Sequence, residues 1–187
     1  MKHLSFIIAF CIALFVNAQQ FEPKWVGEVS IAQIQGNDTV MIPTEKANVK
    51  IKTSNSAGTL LVGIGNTRRK VVIQGGESPV RINPDGEVTL IIKCKDNESD
   101  PSSFIQIVKF ENKKKERRTE LSNINWVGNV SQGNMELVPY DADQYGKASY
   151  ILKFQPAEGE YGVRVLNPNE KDEKVTIFYC FGIHNEK

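Results

Sequence analysis

The sequence predicts an all-β protein, built as two small immunoglobulin-like β-sandwich domains in tandem after a cleaved signal peptide. Short stretches carry apolar side chains at every second position, which is typical of strands with one buried face. Gly, Pro and Asn separate these stretches, and nothing before residue 111 resembles a helix. The segments KWVGEVS at 24–30 and NWVGNVS at 125–131 indicate an internal repeat, with chance similarity as the alternative.

The first eighteen residues have the features of a signal peptide. Lys2 supplies a positive charge, residues 6–16 form an apolar core, and residues 16–18 resemble a cleavage site. We therefore expect an exported protein, periplasmic or extracellular, whose mature chain begins at Gln19. No second apolar run is long enough for a transmembrane helix. Without Lys2 the chain has 22 basic and 22 acidic residues, so its net charge indicates no class of partner.

The first predicted sandwich comprises residues 19–112. Its clearest strand is 47–53, in which Ala47, Val49 and Ile51 alternate with polar residues. A turn is predicted at 35–38 and another at Gly75-Gly76. The other strands are predicted at 25–34, 59–64, 70–73, 80–82, 88–95 and 102–110.

A basic linker is predicted at residues 113–120. Five of the six residues from Lys113 to Arg118 are basic, which would suit a site for an anionic ligand. The same pattern is typical of a solvent-exposed linker or hairpin tip, and the stretch has no aromatic residue on which a base could stack. We therefore expect no nucleic-acid partner.

The second, smaller sandwich is predicted at residues 121–187. Residues 148–154 alternate as a half-buried strand, Pro156 ends it, and the alternation resumes from Tyr161 to Val165 as the second arm of a hairpin. Residues 175–183 are apolar on both faces, as expected of a strand that is covered on two sides. Trp25 and Trp126, each at the start of a predicted strand, are expected in the core.

Residues that most catalytic sites require are scarce in this chain. The histidines are His3, inside the predicted signal peptide, and His184, so a Ser-His-Asp or Cys-His site would depend on His184 close to the C-terminal end of the sequence. The spacing of Cys94, Cys180 and His184 does not suit zinc, and there is no phosphate-binding loop. We expect no enzymatic activity, cofactor or metal. A hydrolase that uses carboxylates alone is the alternative.

Two acidic segments and two cysteines leave alternatives open. Residues 96–100 and 141–146 suit either calcium or simple turns, and the second segment departs from an EF-hand loop at Tyr145 and Leu152. Cys94 and Cys180 suit free core residues or a disulfide, which export would permit.

The best candidates for a ligand site lie in one predicted loop, residues 138–146. Tyrosine rings for stacking and carboxylate or amide groups for hydrogen bonding are what a sugar-binding surface needs. In the alternative interpretation, the tyrosines cap the core. The sequence therefore predicts a non-catalytic binding module of the cell envelope with a glycan or protein ligand, or else a purely structural envelope component. The predicted ligand-binding residues are Tyr140, Asp141, Asp143, Gln144 and Tyr145.

The run FQPAEGEYGVRV at 154–165 resembles the tyrosine corner of immunoglobulin-like and fibronectin-type sandwiches. That resemblance implies a structural role for Tyr161, whose hydroxyl would bond to an upstream backbone group. The longer pattern, from PYDADQYGKASY through GEY to YCFGI, resembles uncharacterised secreted β-sandwich proteins of Gram-negative bacteria. It covers about the last third of the chain and implies no activity.

Overall fold

The computed structural model describes residues 21–35, 38–55, 66–84, 86–125, 129–166 and 177–184. The predicted signal peptide, the predicted strand at 59–64 and Trp126 lie outside these ranges. The regular elements of the described residues are β-strands and one 3₁₀ turn at Pro101–Ser103. Within these ranges no helix could span a membrane. The strands are β1 Val29–Gln35, β2 Asp38–Pro43, β3 Glu45–Ala47, β4 Val49–Asn55, β5 Thr67–Gln74, β6 Arg81–Ile82, β7 Val88–Lys93, β8 Ile105–Lys113, β9 Glu116–Ile124, β10 Val130–Gln132, β11 Glu136–Val138, β12 Asp141–Tyr145, β13 Ser149–Phe154, β14 Gly159–Val165 and β15 Phe178–Ile183.

The strands form two sheets. The first sheet has five antiparallel strands in the order β12-β13-β7-β1-β2. The second has ten strands, in the order β3-β15-β14-β8-β9-β5-β4, with β11 beside β8, β10 beside β9 and β6 parallel to β15. β3 and β4 lie at opposite ends of that order, although only Asn48 separates them in the chain. The second sheet therefore curls until its two ends meet in residues 45–55.

Two hydrophobic cores follow from this arrangement. Alternate residues of β14 point to opposite faces of the second sheet, so that Tyr161 and Val163 face the first sheet while Gly162 faces the inside of the curl. The prediction that the last strand is covered on both faces is confirmed for Phe178–Ile183. The core between the sheets includes Val29, Ile31, Leu90, Ile92, Ile107, Tyr150, Leu152, Phe154, Tyr161, Val163, Phe181 and Ile183. The core inside the curl comprises Ala47, Val71, Ile73, Val108, Phe110, Phe178 and Cys180.

The hydrogen bonds of the predicted tyrosine corner are present. Tyr161 is 2% exposed, and its hydroxyl donates to the Ala157 carbonyl at 2.6 Å and accepts from the Ala157 amide at 3.1 Å. Burial raises the pKa of Tyr161, so the phenol stays neutral and can donate. The Tyr161 ring stacks on Phe181 with centroids 5.7 Å apart. The corner therefore fixes the entry into β14.

The all-β prediction is confirmed, but the predicted division into two tandem domains does not appear in the strand pairing. β13 of the second predicted domain pairs with β7 of the first, β14 pairs with β8, and β15 pairs with β3. Each sheet thus contains strands from both sides of residues 113–120. Those residues are not a linker either, because they end β8, turn at Lys114 and Lys115, and continue into β9.

The prediction that Trp25 is a core residue is wrong, because its side chain is 64% exposed. Residues 25–28 form a turn ahead of β1, closed by a 3.0 Å bond from the Glu28 amide to the Trp25 carbonyl. Gly27 supplies the positive φ of 86° that the turn requires. The Gly27 amide donates to the Lys93 carbonyl at 2.7 Å, which fixes the turn against β7.

Candidate functional site

The predicted ligand-binding loop is a strand at the edge of the first sheet. Residues 141–145 pair along their whole length with β13, from Asp141 opposite Lys153 to Tyr145 opposite Ser149. On the other side β12 pairs with no strand in the described part of the chain. The sequence hid this strand because its residues are polar or small on both faces, which is the pattern of a loop.

Tyr140 belongs to the fold rather than to an open surface. Its ring packs against the core between the sheets, and its hydroxyl donates to the Ile105 carbonyl at 2.9 Å. Burial, with a smaller contribution from Asp100, raises the pKa of Tyr140 to about 12. Of the two interpretations of this tyrosine, the structure supports the core cap.

Gln144 and Tyr145 lie at the end of β12. The Gln144 side-chain amide donates to the Asn97 carbonyl at 2.8 Å, and the Asn97 side chain donates to the Ser149 carbonyl at 3.2 Å. Residues 96–100 and β12 therefore hold one another in place. Tyr145 is partly buried at the turn into β13.

Asp141 and Asp143 are the predicted site residues that remain available. Both are exposed, and neither carboxylate makes a hydrogen bond or ion pair within the described residues. Because they are two residues apart on one strand, they lie on the same face of the sheet, opposite Lys153 and Ile151. This face is the outer one, since Tyr150 and Leu152 of β13 point into the core.

A cluster of buried charges was not predicted from the sequence. Arg117, which is fully buried, makes two hydrogen bonds to the Glu45 carboxylate, at 2.7 and 3.0 Å. Although burial alone would lower the pKa of Arg117, the hydrogen bonds to Glu45 raise it overall, so the guanidinium stays charged. Glu160 is 2% exposed and lies 3.9 Å from Arg117, and it accepts from Arg81 at 2.7 Å and from the Ser78 amide at 2.8 Å. The four side chains join β3, β9, β14 and β6.

The alternation of β9 is the signal that could have found this cluster. Arg117 and Thr119 share one buried face of the strand, and Leu121 packs against the core inside the curl, so a basic residue in line with these positions is placed towards the core. The basic composition of residues 113–118 concealed that alternation. Arg118, on the opposite face, donates to Glu111 at 2.9 Å, so this part of the basic run is neutralised by the protein itself.

His184, the candidate base, belongs to the same end of the second sheet. Arg81 donates to its Nδ1 at 3.1 Å, because a guanidinium can only donate. Arg81 in turn bonds Glu160, so the imidazole is held next to a cation.

The acidic segment 96–100 shows the chemistry of turns. Asp100 accepts from the Ser102 amide at 2.9 Å and caps the 3₁₀ turn. No group of three potential metal-binding residues occurs among the residues that the structure describes.

Cys94 and Cys180, the cysteines within the described residues, are free and buried in different cores. Burial, and to a smaller extent Asp96, raises the pKa of Cys94 to about 11. Burial also raises the pKa of Cys180. Neither thiol is an activated nucleophile.

Comparison with models of protein families, with curated proteins and with solved structures gave no significant match.

Proposed function

We propose that this chain is an exported, non-catalytic binding module of the cell envelope, which takes its ligand along the edge strand β12. One observation supports the proposal most: β12 presents an unpaired strand edge together with two carboxylates that the described fold does not use. A strand edge is a template for an extended segment of another protein, which it binds through main-chain hydrogen bonds.

A protein ligand fits this edge better than a glycan does. Sugar recognition at residues 140–145 would need an exposed aromatic face, but the Tyr140 ring packs on the core and its hydroxyl bonds Ile105. The Gln144 amide is already bonded to Asn97. The main-chain groups of β12 and the two aspartates are what remains for a ligand.

The hydrolase alternative has less support. A carboxylate enzyme needs one carboxyl group that stays protonated in apolar surroundings while its partner is ionised. Asp141 and Asp143 are both exposed on an edge strand, so neither is placed in buried apolar surroundings. The tyrosine corner supports an immunoglobulin-like character of the sandwich, and the signal-like residues 1–18 support export.

The test is affinity recovery from a cell-envelope extract with the mature protein and with Asp141→Lys/Asp143→Lys, with and without calcium, beside a glycan array. We expect a specific protein to be retained by the parent and lost by the double variant. A matched control is Glu98→Lys/Glu158→Lys, which changes the same number of exposed charges outside β12. Equal retention by all three proteins, or retention of a glycan alone, would contradict a protein ligand at β12.

A further inference from the structure

The hairpin of β8 and β9 splits into a fork. The two strands pair only from Glu111–Lys113 to Glu116–Arg118. Beyond that, β8 pairs with β11, with Lys109 opposite Glu136, while β9 pairs with β10, with Ser122 opposite Gln132. Residues 119–121 of β9 therefore have no strand partner on this side among the described residues.

The chain between β10 and β11 crosses this fork. The Gly133 amide donates to the Leu121 carbonyl at 3.1 Å, and a Cβ on Gly133 would stand 2.4 Å from the Glu120 carbonyl oxygen. Glycine is thus required for the close crossing. Beside the crossing lies a groove of about 480 Å³. It continues into a second hollow that shares Glu120 and Asn134 with it.

Charged groups of both signs line the groove, and four of them form no ion pair within the described residues. Lys70 is directly opposite Glu120 on paired strands, and Lys109 is directly opposite Glu136. None of these four side chains makes a salt bridge or hydrogen bond within the described residues, although Lys109 Nζ lies 5.8 Å from the centroid of the Tyr161 ring. Glu111 and Arg118, which also line the groove, bond to each other. In the adjoining hollow, Asn123 Oδ1 is buried and has no hydrogen-bond donor.

We propose that this fork groove is a binding site for a small zwitterionic ligand, an amino acid or a short peptide with free termini. A simple anion would be repelled by Glu120 and Glu136, and a simple cation by Lys70 and Lys109. A molecule with an ammonium group and a carboxylate can pair with both sets through charge-assisted hydrogen bonds. Its ammonium group also supplies donors of the kind that Asn123 Oδ1 lacks. The site is independent of β12.

Calorimetry with trialanine as the probe tests the proposal, and amide NMR shifts locate the site. We expect shifts at Lys109, Thr119 and Glu120. N-acetylation or C-terminal amidation of the peptide should each weaken binding by about tenfold or more, because each removes one charge-assisted contact. Glu120→Gln/Glu136→Gln should reduce the affinity for trialanine but not for its N-acetylated form.

Lys147→Gln, an exposed substitution in the turn before β13, is the control that should bind as the parent does. Thermal melting of each variant separates lost binding from lost folding. Binding of doubly capped trialanine or of maltose with the same affinity, shifts outside the groove, or no binding at millimolar trialanine would each overturn the proposal.

Discussion

The buried cluster and the edge strand β12 both place two carboxylates close together in the sheets, but the carboxylates of the cluster have hydrogen-bond partners and those of β12 have none within the described residues. Glu160 is 2% exposed and accepts hydrogen bonds from Arg81 and from the Ser78 amide. Glu45 accepts hydrogen bonds from both terminal nitrogens of Arg117. Asp141 and Asp143 are exposed and have no partner in the described fold.

The difference indicates that the buried carboxylates stabilise the fold, whereas the exposed ones are available to a ligand. A buried charge is tolerated only when partners replace its water, so the cluster must be complete for the second sheet to close. An exposed charge on a strand edge adds little to stability and instead decides which other strands can approach.

Replacing Arg117, the central cation of the buried cluster, should lower the free energy of unfolding most. Arg117→Met keeps a side chain of similar length but leaves the carboxylates of Glu45 and Glu160 without it, and we expect a loss of about 3–5 kcal/mol in the free energy of unfolding. Urea denaturation followed by circular dichroism measures the change.

The control for that experiment is Asp143→Asn, which should change the free energy of unfolding by less than about 0.5 kcal/mol because the residue is exposed and without a partner. The double variant with Glu45→Gln added to Arg117→Met should recover part of the loss, since it neutralises the carboxylate that lost its charged partner while Glu160 keeps its bond from Arg81. If Arg117→Met and Asp143→Asn behaved alike, the contrast between the two regions would be wrong.

Gly182 leaves the space that the cluster occupies. A Cβ there would lie 2.7 Å from Arg81 Nη1 and 2.9 Å from Glu160 Oε1. Gly182→Ala should therefore displace Arg81 from Glu160 and cost about 1–3 kcal/mol, as overpacking of a filled site usually does. In the Arg81→Ala background the Gly182→Ala substitution should cost less than in the parent, because only the contact with Glu160 Oε1 remains, and thermal melting of both variants measures the difference. A loss of the same size in both backgrounds would mean that Glu160, and not Arg81, resists the methyl group.

Two features that the sequence predicted from local chemistry hold in the structure. The apolar alternation located β4, β7, β13 and β14 within a few residues, and the proline, glycine and tyrosine around residue 159 predicted the corner that Tyr161 forms. Each depends on residues that are close together in the chain.

The features that the sequence missed depend on pairing between distant segments. β12 is polar on both faces and is a strand only because β13 offers it a ladder. The buried cluster joins residues 45, 81, 117 and 160, which no local pattern connects. The interleaving of the two predicted domains has the same cause, since nothing in β7 indicates that its neighbour is β13.

Tyr140 and Tyr145, at the start and end of the predicted site, should differ in how much their hydroxyls contribute to stability. Tyr140→Phe removes the hydroxyl that bonds the Ile105 carbonyl, and we expect a loss of about 1 kcal/mol. Tyr145→Phe is the matched control, because its hydroxyl has no hydrogen bond within the described residues, and it should be close to neutral. Guanidinium titration of both variants measures the difference in stability. Equal stabilities would mean that the Tyr140 hydroxyl is not needed by the fold and is available to a ligand.

Glu111 is an intermediate case, an exposed carboxylate that nevertheless has partners. The hydrogen bond from Arg118, and then that from Lys113, lowers its pKa from 4.5 to about 2. Because the folded pKa is the lower one, the stabilisation is complete above pH 4.5 and disappears as the pH falls towards 2. Its side chain is 55% exposed, so solvent screening limits the contribution to roughly 0.2–1 kcal/mol.

Glu111→Gln should therefore unfold slightly more easily than the parent at pH 7, and the two proteins should become equal near pH 2. Salt at 1 M should shrink the difference at pH 7, because the pair lies in solvent. Melting curves across this pH range measure both effects. A difference that persists at pH 2 would show that Glu111 stabilises the hairpin of β8 and β9 by packing. The contrast between carboxylates with and without partners would then hold for buried groups only.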